Sequence, residues 1–279
     1  MPINQIVQFW RNLYQRNGKC TNCPNTCSNC NMCLQEIHND QSNMRTYDCS
    51  NMIFCYVCSY INKYASEIYY GFNALKNHPS TKKQQYKILS IGCGDCADLF
   101  GIYRFITDNQ LNVDISYTGV DINTKWEPIH EKIKEIFPTI NFNFTYQDVF
   151  EYIANQNTIE YNIIILEYVL NEIRKYTPDI IDGFIDSFAR IVVDRLPSGA
   201  LIIINDINHN MVRDYFPRIR TSIELNNNVL CFNLRFKTPL HPYGGSVLPN
   251  DALVFNIEHD ARFIEKGPCS SSLYIIHKQ

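Results

Sequence analysis

Apolar positions in this chain fall into two kinds of pattern. Continuous runs occur at 86–91 (Y-K-I-L-S-I), Ile163 to Leu166 (I-I-I-L) and Leu201 to Ile204 (L-I-I-I). Strands covered on both faces read this way, because neither face meets water. Residues 140–146 (I-N-F-N-F-T-Y) alternate instead, as a strand with one better-covered face does. Between Asn51 and Leu75, Ile53, Phe54, Tyr56, Val57, Tyr60, Ile61, Tyr64, Ile68, Tyr69 and Phe72 recur at helical spacing, which predicts one long helix. The segment 114–123 (D-I-S-Y-T-G-V-D-I-N) reads as a further strand ending in Asp121. Pro197-Ser198-Gly199 marks a turn ahead of the Leu201 run. Strands alternating with helices at this spacing predict an α/β fold around a parallel sheet. Residues 229–236, 252–257 and 272–278 are additional strand expectations.

Two composition shifts divide the chain. Residues 1–75 hold the cysteines and the long helix, 76–85 (K-N-H-P-S-T-K-K-Q-Q) are polar and read as a linker, and 86–279 form the main domain. With 279 residues, 45% hydrophobic and 19% charged, a packed core is expected and disorder is not. No run of about 18 apolar residues is present and the first residues lack an apolar signal core, so a cytoplasmic protein with no membrane partner is expected. The formal net charge of −3 conceals an asymmetry. Residues 1–90 carry nine Lys and Arg against four Asp and Glu, whereas 91–279 carry sixteen against twenty-four. The positive end is able to attract a polyanion such as RNA, although ordinary solvated lysines give the same balance.

Eight of the twelve cysteines lie close together: Cys20, Cys23, Cys27, Cys30, Cys33, Cys49, Cys55 and Cys58. A C-x2-C pair brings two thiolates from one tight turn to one metal ion, and eight thiolates suffice for two tetrahedral zinc sites, with His38 as a spare ligand. The closely spaced C-x2-C-x2-C series also suits an iron–sulfur cluster, and an even cysteine count suits disulfides in a secreted chain. A metal module is the expectation, zinc ahead of iron–sulfur. Its removal is expected to unfold so short a segment.

The run 86–103 passes from an apolar strand through I-G-C-G-D-C-A-D into a helix start. Gly92 and Gly94 permit a tight turn and close backbone approach to a ligand. A dinucleotide fingerprint would place a third glycine where Ala97 stands. The loop, followed by the acidic strand end at Asp121, Gln147-Asp148 after the 140–146 strand, and Glu167-Tyr168 after the Ile163 strand, resembles class I S-adenosylmethionine-dependent methyltransferases. The resemblance covers residues 86–279. It implies a Rossmann-like seven-stranded sheet closed by an antiparallel pair from 229–236 and 272–278. It implies S-adenosylmethionine held by Gly92, Cys93, Gly94 and Asp95, with Asp121 on the ribose hydroxyls and Ile122 beside it. Gln147, Asp148 and Val149 would meet the adenine, and Glu167 the sulfonium side. The amino methyltransferases acting on bases carry D/N-P-P-Y where this chain has L-E-Y-V, which counts against that subclass.

Methyl transfer from a sulfonium is an in-line displacement in which the protein chiefly aligns donor and acceptor. Glu167, Tyr168 and Asn171 are the expected catalytic or acceptor-orienting residues, with capping and packing as competing roles. Cys93 and Cys96 read as a small apolar fit and not as a redox pair; Cys231 and Cys269 read as isolated thiols. The 238–250 loop, rich in Pro and Gly, is expected to cover the acceptor. The leading expectation is methylation of RNA or another nucleic acid gripped by the basic cysteine module. Protein or small-molecule methylation, and a binding or assembly protein that keeps the fold without turnover, are the alternatives.

Overall fold

A computed structural model describes residues 1–14, 30–39, 47, 49–237, 245–264 and 266–279. In chain order its elements are α1 (Pro2–Leu13), α2 (Cys30–Asn39), α3 (Ser50–Ala74), β1 (Gln85–Ile91), α4 (Ala97–Asp108), β2 (Asp114–Asp121), α5 (Glu127–Ile136), β3 (Asn141–Tyr146), α6 (Val149–Ala154), β4 (Ile163–Glu167), α7 (Val169–Tyr176), α8 (Ile181–Ser187), β5 (Leu201–Ile207), α9 (Asn210–Arg213), α10 (Tyr215–Glu224), β6 (Val229–Arg235), β7 (Ser246–Val247) and β8 (Ser271–Lys278). Among the described residues the strands form one eight-stranded sheet in the order β3-β2-β1-β4-β5-β8-β6-β7. Strands β1 to β5 run parallel, and β8 lies antiparallel between β5 and β6. This is the α/β fold that the chain pattern predicts, in the Rossmann-like form that the resemblance implies, with the two-residue β7 added at the edge.

The continuous apolar runs become the sheet centre. In β4, Ile163 and Ile165 pack into one core with Ile88, Leu201 and Ile203, beneath α1, α3, α4 and α5. Ile164 and Leu166 enter the opposite core with Leu89, Ile91, Ile202 and Ile204, beneath α6, α7, α8 and α10. The side-chain period of two thus fills both faces, making three layers.

The expected helix 51–75 appears as α3, and it is one wall of this core. Ile61, Ile68 and Phe72 are fully buried against it. Helices α3 and α4 cross so closely that a Cβ on Gly101 would lie 2.4 Å from the carbonyl oxygen of Ala65. Helix α1 joins through Ile3, Ile6, Val7 and Trp10, which share the α3 core. Residues 79–82, inside the expected linker, form a short 310 turn with Ser80 and Thr81 buried; Thr81 accepts a 2.6 Å hydrogen bond from the Tyr86 hydroxyl through its carbonyl.

The 252–257 segment corrects the sequence reading, because it forms no strand. Its backbone groups are met by side chains instead. The Ala252 N–H donates to Asn250 Oδ1 and its carbonyl accepts from the Tyr70 hydroxyl, while the Val254 N–H donates to Ser66 Oγ. The segment is strapped across α3 and not paired to a neighbouring strand. No helix among the described residues is long and apolar enough to cross a membrane.

The α3–α4 crossing gives a first prediction. Gly101→Ala adds helix propensity of about 1 kcal/mol but drives a methyl into a backbone oxygen, so net destabilisation of about 1–3 kcal/mol is expected. A lower denaturation midpoint in chemical unfolding checks it; an unchanged or higher midpoint contradicts the crossing.

Candidate functional site

Strand order reverses between β1 and β4, and in open α/β sheets a ligand lies beyond the strand ends at that point. Register places the ends together: Ile91 opposite Leu166, and Glu167 opposite Asn205. After Ile91 the chain turns through two left-handed glycines, Gly92 (φ +64°) and Gly94 (φ +44°). A Cβ at Gly92 would meet Val169 at 2.9 Å, so the turn requires glycine there on both conformational and packing grounds. Cys96 also adopts a left-handed backbone, φ +55°, immediately before α4.

The loop is tied to its neighbours at Gly94. Its N–H donates to Asp121 Oδ2 at 3.1 Å, across 27 positions of sequence, and Asp121 Oδ1 accepts from the Asn123 N–H at 2.8 Å. Burial raises the Asp121 carboxyl, against the lowering effect of those backbone donors. The Gly94 carbonyl accepts from His130 Nε2 at 2.7 Å, while His130 Nδ1 lies 2.8 Å from the Tyr146 hydroxyl. The His130 ring stacks on Phe144 with centroids 4.1 Å apart, and its burial lowers its pKa to about 4, so it is neutral at pH 7.

Gly92, Cys93, Gly94, Asp95, Asp121 and Ile122 therefore lie together at the carboxyl ends of β1 and β2. Ile122 is 77% exposed, an unusual state for a large apolar residue placed beside a carboxylate at a strand tip. It offers an apolar face of the kind an adenine ring covers. Asp95 is buried, and its Oδ2 has no hydrogen-bond partner, while Oδ1 accepts from the Ala97 N–H. Burial pushes its carboxyl up to about 7. An orphaned buried carboxylate oxygen in the loop suits a cationic ligand group. On the next strand, Asp148 caps α6 by accepting from the N–H groups of Phe150 and Glu151, and Val149 is buried behind it; Gln147 is half-buried. These features fit a nucleoside with a cationic tail, the shape and charge of S-adenosylmethionine.

At the β4 end, Glu167 accepts from Asn205 Nδ2 at 2.9 Å, and burial holds its carboxyl well above the ordinary range. Tyr168, left-handed at φ +60°, donates its hydroxyl to Glu67 Oε2 at 2.8 Å and packs on Tyr64 with centroids 4.2 Å apart. Asn171 is buried one turn away; its backbone N–H donates to Asp206 and its Oδ1 accepts from Arg174. The structure thus brings Glu167 and Tyr168 together, while the Asn171 amide oxygen is engaged within α7.

Sequence reasoning missed Glu67, and it is central. The carboxylate is fully buried in α3 and accepts from Tyr168, from Asn205 at 3.3 Å, and from the N–H groups of Ser270 and Ser271. A single acid within a long apolar helix was the available signal. Above it, α3 presents Tyr56, Tyr60 and Tyr64 in succession (4.9 and 5.3 Å between ring centroids). Trp126 lies 6.0 Å from Tyr56, and the outer edge is closed by Tyr47 and by Lys266, whose Nζ sits 4.4 Å from the Tyr60 ring centre.

The expected metal module is described only in part, since Cys20, Cys23 and Cys27 lie outside the described residues. Cys30, Cys33, Cys49, Cys55 and Cys58 are all buried. Cys30 contacts Cys49, which together with burial pushes its thiol up, and accepts from Asn51 Nδ2. Cys33 lies 3.8 Å from Met52 Sδ, Cys55 faces Asn31 and Cys58 the Val7 carbonyl. These five do not present three donors at one point. The described group that does is elsewhere: Cys93, Cys96 and His130. Of the 238–250 loop expected over the acceptor, residues 238–244 lie outside the described residues.

No protein-family model and no curated protein matches the chain. Solved structures do. A protein from Listeria monocytogenes assigned to the class I S-adenosylmethionine-dependent methyltransferases aligns over 99% of this chain and 87% of its own, at TM-score 0.52 and 11% identity. A methyltransferase from Pyrococcus furiosus aligns over 75% and 80% at TM-score 0.42 and 11% identity. The human methyltransferase 10 domain containing protein aligns over 77% and 81% at TM-score 0.42 and 11% identity. The first of these likenesses shows the fold: a Rossmann-like sheet of the class I methyltransferase type.

Glu172, on α7, gives a prediction about pH. Burial raises its carboxyl from 4.5 to about 7, and its Oε2 has no partner. A carboxyl raised on folding adds stability below its unfolded pKa, and that stability is lost as pH rises through the folded value. Glu172→Gln is therefore expected to match the parent at pH 5 and to exceed it at pH 8. The gain should be on the order of 1–2 kcal/mol after allowance for solvent screening. Equal stability differences at both pH values, read by chemical denaturation, would contradict this.

Proposed function

We propose that the chain is an S-adenosylmethionine-dependent methyltransferase whose acceptor approaches the β4 end beside the α3 tyrosines. The observation that carries the reading is the Gly94–Asp121 hydrogen bond, which puts a glycine turn and a strand-tip carboxylate around one site beside exposed Ile122. In this reading the cofactor supplies an electrophilic methyl group. Asp121 accepts from the ribose hydroxyls, Ile122 and Val149 flank the adenine, Gln147 and Asp148 approach its amino group, and the 92–95 loop takes the amino-acid end. Glu167 and Asp95, acidic and enclosed, favour a positive centre near the β1 and β4 ends. Tyr64 and Tyr168 wall the acceptor side, and Glu67 fixes Tyr168 by accepting a hydrogen bond from its hydroxyl.

The acceptor we propose is a nucleic acid, RNA in the first place. Two features support it: the positive balance of residues 1–90, which suits a phosphate backbone, and a row of aromatic rings along α3, a surface type on which a planar base stacks. The enclosed carboxylates Glu67, Glu167 and Glu172 favour a second reading, a small or peptidic acceptor without phosphates, because polyphosphate is repelled at depth. Incubating the purified chain with methyl-radiolabelled cofactor, total RNA and total protein separates them. Label in RNA, falling with added salt, supports the first; label in protein or in small molecules alone supports the second; no label in any fraction contradicts turnover.

The cofactor reading makes its own prediction. Asp121→Ala should weaken S-adenosylmethionine binding by about 1–3 kcal/mol, through loss of charge-assisted hydrogen bonds. Calorimetry showing unchanged affinity would remove Asp121 from the site.

A further inference from the structure

We propose that Cys93, Cys96 and His130 form a binding site for one zinc-type divalent cation, distinct from the N-terminal cysteines and set directly beneath the glycine loop. The three ligand atoms lie within 4.8 Å of one another, and all three residues are buried. Cys93 Sγ and His130 Nε2 are 3.7 Å apart. Ligands about 2.1–2.3 Å from a tetrahedral zinc ion are separated by roughly 3.6–3.8 Å, so this edge of the tetrahedron is already in place. Cys93 and Cys96 are spaced C-x2-C and closed by a turn in which the Cys96 N–H donates to the Cys93 carbonyl at 2.7 Å.

Three further observations point the same way. Cys96 holds a left-handed backbone that glycine adopts freely and cysteine does not, and this conformation places its thiol beside that of Cys93. The charged groups acting most strongly on the two thiols are acidic: Asp98 on both, Asp121 on Cys93 and Asp95 on Cys96. Asp98, in the first turn of α4, is itself buried with Oδ2 unpartnered, so it adds uncompensated negative charge beneath the loop. A buried group of two thiols and carboxylates is stabilised by a cation held among them. Finally, His130 already has the support that ligating histidines carry: its Nδ1 lies 2.8 Å from the Tyr146 hydroxyl and its plane is fixed on Phe144.

Binding is balanced in protons. The two thiols release one proton each to solvent. His130 stays neutral but changes tautomer: its proton moves from Nε2 to Nδ1, where the Tyr146 oxygen accepts it. The Nε2–H···O bond to the Gly94 carbonyl is exchanged for a nitrogen–metal bond. The ion then joins the loop to α5 through its ligands, and the shape of the loop becomes dependent on the metal.

The test reads metal content in the full chain, so it stands or falls apart from methyl transfer. The protein is purified after growth with zinc, and metal per chain is measured by inductively coupled plasma mass spectrometry for the parent, Cys96→Gly and His130→Gln. Cys96→Gly is the informative variant, because glycine relieves the left-handed backbone while deleting one ligand. The N-terminal cysteines are unaltered throughout. Each variant is expected to lose one equivalent of zinc relative to the parent. Cobalt in place of zinc should show thiolate-to-metal charge-transfer absorption in the parent that Cys96→Gly weakens. Equal metal content in parent and folded Cys96→Gly, or a Cys93–Cys96 disulfide in the metal-free protein as purified, overturns the site.

Discussion

One residue holds the site together. Gly94 donates through its N–H to the Asp121 carboxylate on β2 and accepts through its carbonyl from His130 on α5. A charge-assisted hydrogen bond of this kind contributes about 1.5–3 kcal/mol. Its larger consequence is geometric. Tying down the two peptide units that flank one left-handed glycine sets the direction of the loop, and with it where the Asp95 oxygen and the start of α4 lie. The floor of the site at the strand-order reversal is set by that turn and its two hydrogen bonds.

The opposite wall depends on a carboxylate that comes from outside the sheet. Glu67 rises from α3 and gathers the Tyr168 hydroxyl, the Asn205 amide and two backbone N–H groups at the start of β8. A buried acid without such donors would be strongly unfavourable; with them it joins α3 to β4, β5 and β8 at once. Helix α3 is thereby part of the site and presents its tyrosines over the strand ends. The cysteine-bearing segment and the sheet meet through this helix.

Much of this was legible in the pattern of apolar residues. Runs at 86–91, 163–166 and 201–204 became β1, β4 and β5, and the expected 51–75 helix became α3 at Ser50–Ala74. Their buried periodicity is local and survives translation into structure. Asp121 was legible because a carboxylate ending an apolar strand stands out. Glu67 and His130 were not, since their roles come from partners 138 and 36 positions away in sequence. Residues 252–257 have the composition of a strand, yet Ser66 and Tyr70 satisfy their backbone, an arrangement no local pattern announces. Cys93 and Cys96 read as filler in the loop, and only the fold of α5 against β3 brings a histidine to them.

The central claim is that a nucleoside lies across the β1 and β2 ends, and a crystal structure of the chain with S-adenosylhomocysteine tests it most directly. The account predicts ribose hydroxyls within hydrogen-bond distance of Asp121, adenine against Ile122 and the amino-acid tail over the 92–95 loop. A ligand bound away from Asp121, or a crevice that stays free of ligand at saturating concentration, would contradict it.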